Sequence, residues 1–128
     1  MNHVTLAGYA VSTPQLSVSN GALFAHFLLA TLRDATTADP GLLGSFDLHM
    51  VVASGELAKE LADLQPRQPI RIEGQLTTYP AQHLGLLLLA SQVEATALER
   101  NPEGLPAKAP DSLLELEAVS FEAPLPVQ

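Results

Sequence analysis

The sequence contains no cysteine and no tryptophan, and it is poor in aromatic and basic residues. Without cysteine it forms neither a disulfide framework nor a thiolate metal site. Its longest apolar run, Leu84–Ala90, is broken by Gly85 and is far too short for a bilayer-spanning helix. No N-terminal stretch has the apolar length and flanks of a signal peptide, so the expectation is a cytoplasmic protein with no membrane partner. Lys and Arg number 6 against 14 Asp and Glu, for a net charge of −8. Residues 1–99 hold nine acids and four bases, and residues 100–128 hold five acids and two bases. Nucleic acid is a polyanion whose binding calls for clustered Lys and Arg, so a single copy is short of material for a basic groove unless oligomerisation gathers it. Catalytic signatures are missing too: there is no Gly-rich phosphate loop, no G-x-S-x-G elbow and no H-E-x-x-H. The sequence does not read as an enzyme and implies no cofactor. His3, His26, His49 and His83 are dispersed, with no i, i+4 pair, and predict no metal site.

What is present is organised around Phe46–Tyr79. Phe46, Leu48, Met50 and Val52 recur at every second position, the period of a strand. Ser54 follows, with a hydroxyl suited to cap a helix start, and Glu56 suits a helix N-terminus. Leu57, Leu61 and Leu64, with Ala58 and Ala62, form one apolar stripe on a helix of about three turns, which Pro66 and Pro69 stop. Ile70, Ile72 and Leu76 then alternate with Arg71, Glu73, Gln75 and Thr77, and Gly74 allows a bend or bulge.

Ahead of this unit, Val4–Val11 reads as an apolar strand containing Gly8, and Gln15–Ser19 alternates weakly. Asn20-Gly21 is a two-residue hairpin signal leading into a long apolar strand, Ala22–Arg33. Asp34–Gly44 reads as a polar loop. After the unit, Tyr79–His83 reads as a short connection containing Pro80, and Leu84–Leu98 as the last strand. The expectation is an all-β chain with one short helix: a five-stranded Greek-key barrel of the OB-fold type, the helix between strands three and four. The barrel is expected to occupy residues 1–99. Residues 100–128 read as a Pro-rich linker and tail, with a capping-box pattern from Asp111-Ser112 to Glu115 opening a short helix and Val119 and Phe121 fitting a short strand instead.

Four stretches resemble the bacterial single-stranded-DNA-binding proteins and, more distantly, the primosomal replication protein B branch. They are NHVTLAG from Asn2 to Gly8, NGALFAHFLLAT from Asn20 to Thr31, SGELA from Ser54 to Ala58, and IEGQL from Ile72 to Leu76. They fall in family order and spacing across roughly residues 1–98. The resemblance implies an OB-fold whose first strands pair across a dimer interface, with two or four barrels per assembly. It also implies binding of single-stranded DNA without sequence preference, in replication, repair or recombination. Family members stack bases on aromatic rings, but by register those positions fall on Ala35, Leu48, Ser54 and near Ala81. A family arginine falls on Met50 and a family lysine on Glu56.

The residues that remain for single-stranded DNA are Arg33, Arg71, Thr77, Tyr79 and Phe46. Arg71, Glu73, Gln75, Thr77 and Tyr79 share one strand face by alternation, where Arg71 is placed for a phosphate and Tyr79 for a base. The plainer reading of that face is a solvated wall with Glu73 pairing Arg71. Phe46 is a displaced stacking platform or a core residue, and Arg33 has Asp34 beside it as a competitor. His3, Thr5, Tyr9 and His49 are assigned to a homo-dimer or homo-tetramer interface; for His49 this follows from the resemblance. The function expected is a weak or specialised single-stranded-DNA-binding protein. The alternative is an OB-fold interaction module that has lost DNA binding and partners a replication or repair protein.

Overall fold

The computed structural model describes residues 1–33 and 46–114. The loop read over 34–44, and everything expected beyond residue 114, lie outside the described residues. Asn20 and Gly21 adopt φ of 51° and 78°, the twist-matched turn that this dipeptide favours. They join β2 (Gln15–Ser19) to β3 (Ala22–Leu32). β1 (Val4–Ala10) precedes the hairpin; β4 (Phe46–Ser54), α1 (Gly55–Leu61), β5 (Pro69–His83) and β6 (Leu86–Arg100) follow it.

β1 pairs with β5 over Val4–Tyr9 and passes to β3 at Tyr9 and Ala10. β5 pairs antiparallel with β6, β6 parallel with β4 at Val51 and Val52, and β4 antiparallel with β3. The strands thus close a ring β1–β5–β6–β4–β3, with the helix between β4 and β5, and this is the OB-fold. β1 and β2 together stand where the first of five strands is expected.

Two glycines permit the closure. A Cβ on Gly8 would sit 2.1 Å from the Ala30 carbonyl oxygen, and one on Gly74 would sit 2.1 Å from that of Glu94. Gly74 marks the register shift between β5 and β6, as its position in the sequence suggests. The extra residue is Thr96 on β6, whose hydroxyl donates to the Glu73 carbonyl at 3.2 Å.

The helix is shorter than its stripe predicts. After Leu61 the chain tightens through i→i−3 bonds, Ala62 N–H to Lys59 and Leu64 N–H to Leu61, before Pro66 is reached. Gly55, at φ 65°, turns the chain into the helix, and Ser54 makes no side-chain cap hydrogen bond. Ala58, Leu61 and Leu64 enter the barrel core with Phe27, Leu29, Val51, Ile70, Ile72 and Val93. Arg100 ties the end of β6 to this helix, bonding to the Glu60 carbonyl and, at 2.6 Å, to Asp63.

Strand alternation gives the sheet a second buried face. Residues Tyr9, Val11, Ala30 and Phe46 point away from the barrel core and are covered by Ala109 and Leu113. Tyr9 donates its hydroxyl to the Pro106 carbonyl at 2.9 Å. The Pro- and Gly-containing stretch read as a linker is, up to Leu114, laid against the outside of β1, β3 and β4. Two turn bonds, Leu113 N–H to Pro110 and Leu114 N–H to Asp111, fix its end.

The connection expected at Tyr79–His83 is instead strand. β5 continues to His83, a two-residue turn forms at Leu84-Gly85 (φ 52° and 78°), and β6 begins at Leu86. Pro80 fits because it faces Leu89 three pairs behind the closing pair His83–Leu86. That is a pair without ladder bonds, so the missing N–H would have pointed to the open edge. The result is an arm that leaves the barrel rim. No helix among the described residues is long and apolar enough to cross a membrane.

If residues 101–114 belong to the folded unit, Leu113→Ala lowers unfolding stability by about 2–5 kcal/mol, the usual cost of emptying a buried leucine site. Chemical denaturation reads this directly, and a change within about 0.5 kcal/mol, as at an exposed site, would contradict it.

Candidate nucleic-acid interface

The register places the β3–β4 end and the arm at the same end of the barrel. β4 runs parallel to β6 with Val51 opposite Val93, so Phe46 and Asp47 lie level with Leu88 and Leu89, which pair with Ala81 and Pro80 next to Tyr79. Arg33, following β3, and Tyr79, on the arm, therefore rise together. Arg71 does not join them. It faces Glu99 near the far end of β6, eight residues and roughly 27 Å of strand from Tyr79.

The cations are engaged. Arg33 Nε donates to Asp47 Oδ1 at 2.9 Å. Arg71 lies between Glu73, at 3.1 Å, and Glu99, at 3.6 Å, in a shallow cleft that Ala97 and Leu98 complete. The pairing of Arg71 with Glu73 is the plainer of the two readings of this face. Such half-exposed pairs contribute roughly 0–1 kcal/mol each to stability. Their larger effect is on recognition, since a phosphate must displace a carboxylate and then lie beside it.

Two further candidates are closed off. Phe46 is 1% exposed and belongs to the second core, so its ring presents no stacking surface. Thr77 Oγ1 is buried without a hydrogen-bond partner among the described residues, so its hydroxyl is not offered to solvent. Tyr79 is half-buried on the arm, and burial pushes its phenol pKa up. It remains the aromatic candidate with exposed ring surface.

The residues assigned to an oligomer interface divide between faces. His3 Nε2 and Thr5 Oγ1 lie 3.3 Å apart on the exposed outer side of β1. β1 leaves its edge opposite β5 unpaired over Val4–Gly8 among the described residues. Tyr9 shares that outer side but is fully buried by the chain's own residues 105–113, which corrects its assignment to an interface. His49 has the parity of Val51 and Ala53 and so lies on the barrel side of β4, 3.0 Å from Thr31 Oγ1. A cleft that the sequence did not suggest lies between Arg67 and Lys108, with Asp111 on its rim. It appears only because the presumed linker folds back.

No protein-family model matches the chain, and no curated protein matches it. Among solved structures, it is similar to a deletion mutant of the single-stranded DNA binding protein from Thermus aquaticus, at 23% identity and a TM-score of 0.62. The likeness is one of fold. It covers 83% of this chain but 43% of that one, so the chain spans less than half the length of its structural neighbour.

Burial lowers the pKa of both His26 and His49, for His49 against an upward pull from Asp47. The unfolded chain therefore takes up protons first as pH falls below about 6.5, and stability drops there. The melting temperature should fall between pH 7.5 and 5.5. A His26→Gln/His49→Gln variant should lose less over that range; an equal loss in the variant would remove the histidines from the account.

Proposed function

We propose that the chain binds single-stranded DNA without sequence preference, weakly, in replication, repair or recombination. The observation that carries this is the shape of one barrel end. There the arm bearing Tyr79 and the β3 terminus bearing Arg33 rise together from an OB-fold ring. The fold likeness to a single-stranded DNA binding protein supports it. Tyr79 supplies a stacking surface and Arg33 a phosphate contact once Asp47 yields. Arg71 adds a distant contact on the same strand. Weakness follows from the carboxylates beside both arginines and from the absence of tryptophan. Pairing of the open β1 edge between copies, with His3 and Thr5 at the seam, would give a homo-dimer or homo-tetramer and gather more cations per assembly.

A second reading is favoured by one observation. Arg33, Lys59, Arg71 and Arg100 all sit within 4 Å of a carboxylate of the same chain. A barrel that neutralises its own bases suits a module that docks on a replication or repair protein.

Titration of labelled oligo-dT at low salt separates the two. Binding is expected to saturate and to weaken steeply with salt. Tyr79→Ala should cost about 1–3 kcal/mol, the usual worth of one stacked base, while Glu73→Gln with Glu99→Gln should tighten binding by unmasking Arg71. No signal change at high micromolar protein would leave only the docking module.

A further inference from the structure

The arm carries more apolar surface than either reading uses. From Gln75 to Val93 there is no Asp, Glu, Lys or Arg, in a chain whose net charge is −8. The face of β5 and β6 that buries Ile70, Ile72 and Val93 in the barrel continues past the rim, because strand alternation does not stop where the barrel does. There it presents Leu76, Pro80, Leu87 and Leu89, with Leu87 68% and Leu89 78% exposed, interspersed with Thr78, Gln82 and Ser91, while Leu86 and Leu88 lie on the opposite face with Tyr79. At the tip, Leu84 is 89% exposed and held at φ 52°, a conformation Asn or Gly adopts at less cost. The turn does not account for a leucine there. Beyond Leu76, whose backbone is clamped by Asn2 through bonds of 2.7 and 2.9 Å, the outer edge of β5 meets no strand among the described residues. β6 likewise meets β4 only at Val93 and Glu94. A two-stranded ribbon with open edges and leucine on both faces is marginal in water by itself.

We infer that this arm is a self-association surface, its occupant the same arm of a second copy. Charge selects that occupant. Two chains of net charge −8 repel over most of their surfaces, and this ribbon is the long stretch along which two copies meet with no like-charged side chains opposed. A polyanion finds no cation on it, and an acidic chain is repelled from anionic lipid. The contact is isologous: the Leu76, Pro80, Leu87 and Leu89 face of one arm lies on the same face of the other across a two-fold axis, so each residue contributes twice. Tyr79 has the opposite parity and stays on the arm's other face. The inference is therefore independent of the DNA-binding reading, and also of pairing along the β1 edge.

The absence of cysteine makes the test clean. In the full chain without nucleic acid, Leu87→Cys under mild oxidation should accumulate as a disulfide-linked dimer, whereas Glu60→Cys, on the exposed side of α1, should stay monomeric. Light scattering should show self-association of the unmodified chain that strengthens with added salt, the reverse of DNA binding, since screening removes repulsion and leaves the apolar contact. Leu87→Lys with Leu89→Lys should abolish the salt-strengthened association while the melting temperature holds and any pairing along the β1 edge persists. A monomeric unmodified chain, or a lysine variant of unchanged mass with no Leu87→Cys cross-link, would overturn the inference. A lysine variant that failed to fold would leave the cross-link of the single cysteine variant as the deciding readout.

Discussion

The barrel closes where β1 crosses from β5 to β3, and that crossing has no room for a side chain at residue 8. A Cβ there would lie 2.1 Å from the backbone oxygen of Ala30, a contact that only movement of β3 itself could relieve. Gly74 meets the same constraint against Glu94 on the opposite wall. Backbones that approach this closely bring the strands round into a ring small enough for Leu29, Val51, Ile70, Ile72 and the helix residues Ala58, Leu61 and Leu64 to fill. The bulge at Thr96 adds local twist to the same wall. Past Val93, β5 and β6 run on as a ribbon that no other strand follows among the described residues. The tight ring and the projecting arm are therefore consequences of one geometry.

Closure also determines which aromatic residues remain for function. Once β1 joins β3, Tyr9, Ala30 and Phe46 share the outer face of the sheet, and residues 105–113 cover it. Tyr9 and Phe46 are spent on stability there, and Tyr9 adds a hydrogen bond that needs Pro106 in place. Arg33, Lys59, Arg71 and Arg100 are spent in a comparable way, each on a nearby carboxylate. Arg100 gains most from its partner, because it also meets a carbonyl at the end of α1, where a cation is favoured. Of the residues read as DNA contacts, Tyr79 keeps exposed surface, while Arg33 and Arg71 each lie beside a carboxylate.

Much of this was legible in the residues. The Asn20-Gly21 turn, the α1 stripe, Gly74 as the site of the bulge and the helix between the third and fourth barrel strands all follow from local pattern, and local pattern is what neighbouring residues decide. The Arg71–Glu73 pair was also visible, since two residues on a strand point the same way. The failures share a cause, which is long-range contact. Pro80 reads as a turn unless the ladder register is known, because only the register shows its missing N–H facing an open edge. Tyr9 reads as an interface residue unless Pro106, Ala109 and Leu113 are known to return across the sheet. The helix ended early because i→i−3 bonds complete it, and a stripe of leucines does not distinguish that turn from one more turn of α-helix.

Strand parity finally separates two demands that would otherwise conflict. Nucleic acid calls for polar and aromatic groups in contact with water, whereas association calls for apolar ones withdrawn from it. On the arm, Tyr79 falls on one face with Leu86 and Leu88, and Leu76, Leu87 and Leu89 fall on the other, because successive residues of a strand point to opposite sides. A shift of one residue in the β5–β6 register would exchange the faces of the β6 residues, bringing Leu87 and Leu89 to the side of Tyr79. The two-residue turn at Leu84-Gly85 and the bulge at Thr96 pin that register from both ends. The placing of side chains on the arm thus depends on the same backbone features that shape the barrel, and neither face can be altered by sliding one strand without changing the other.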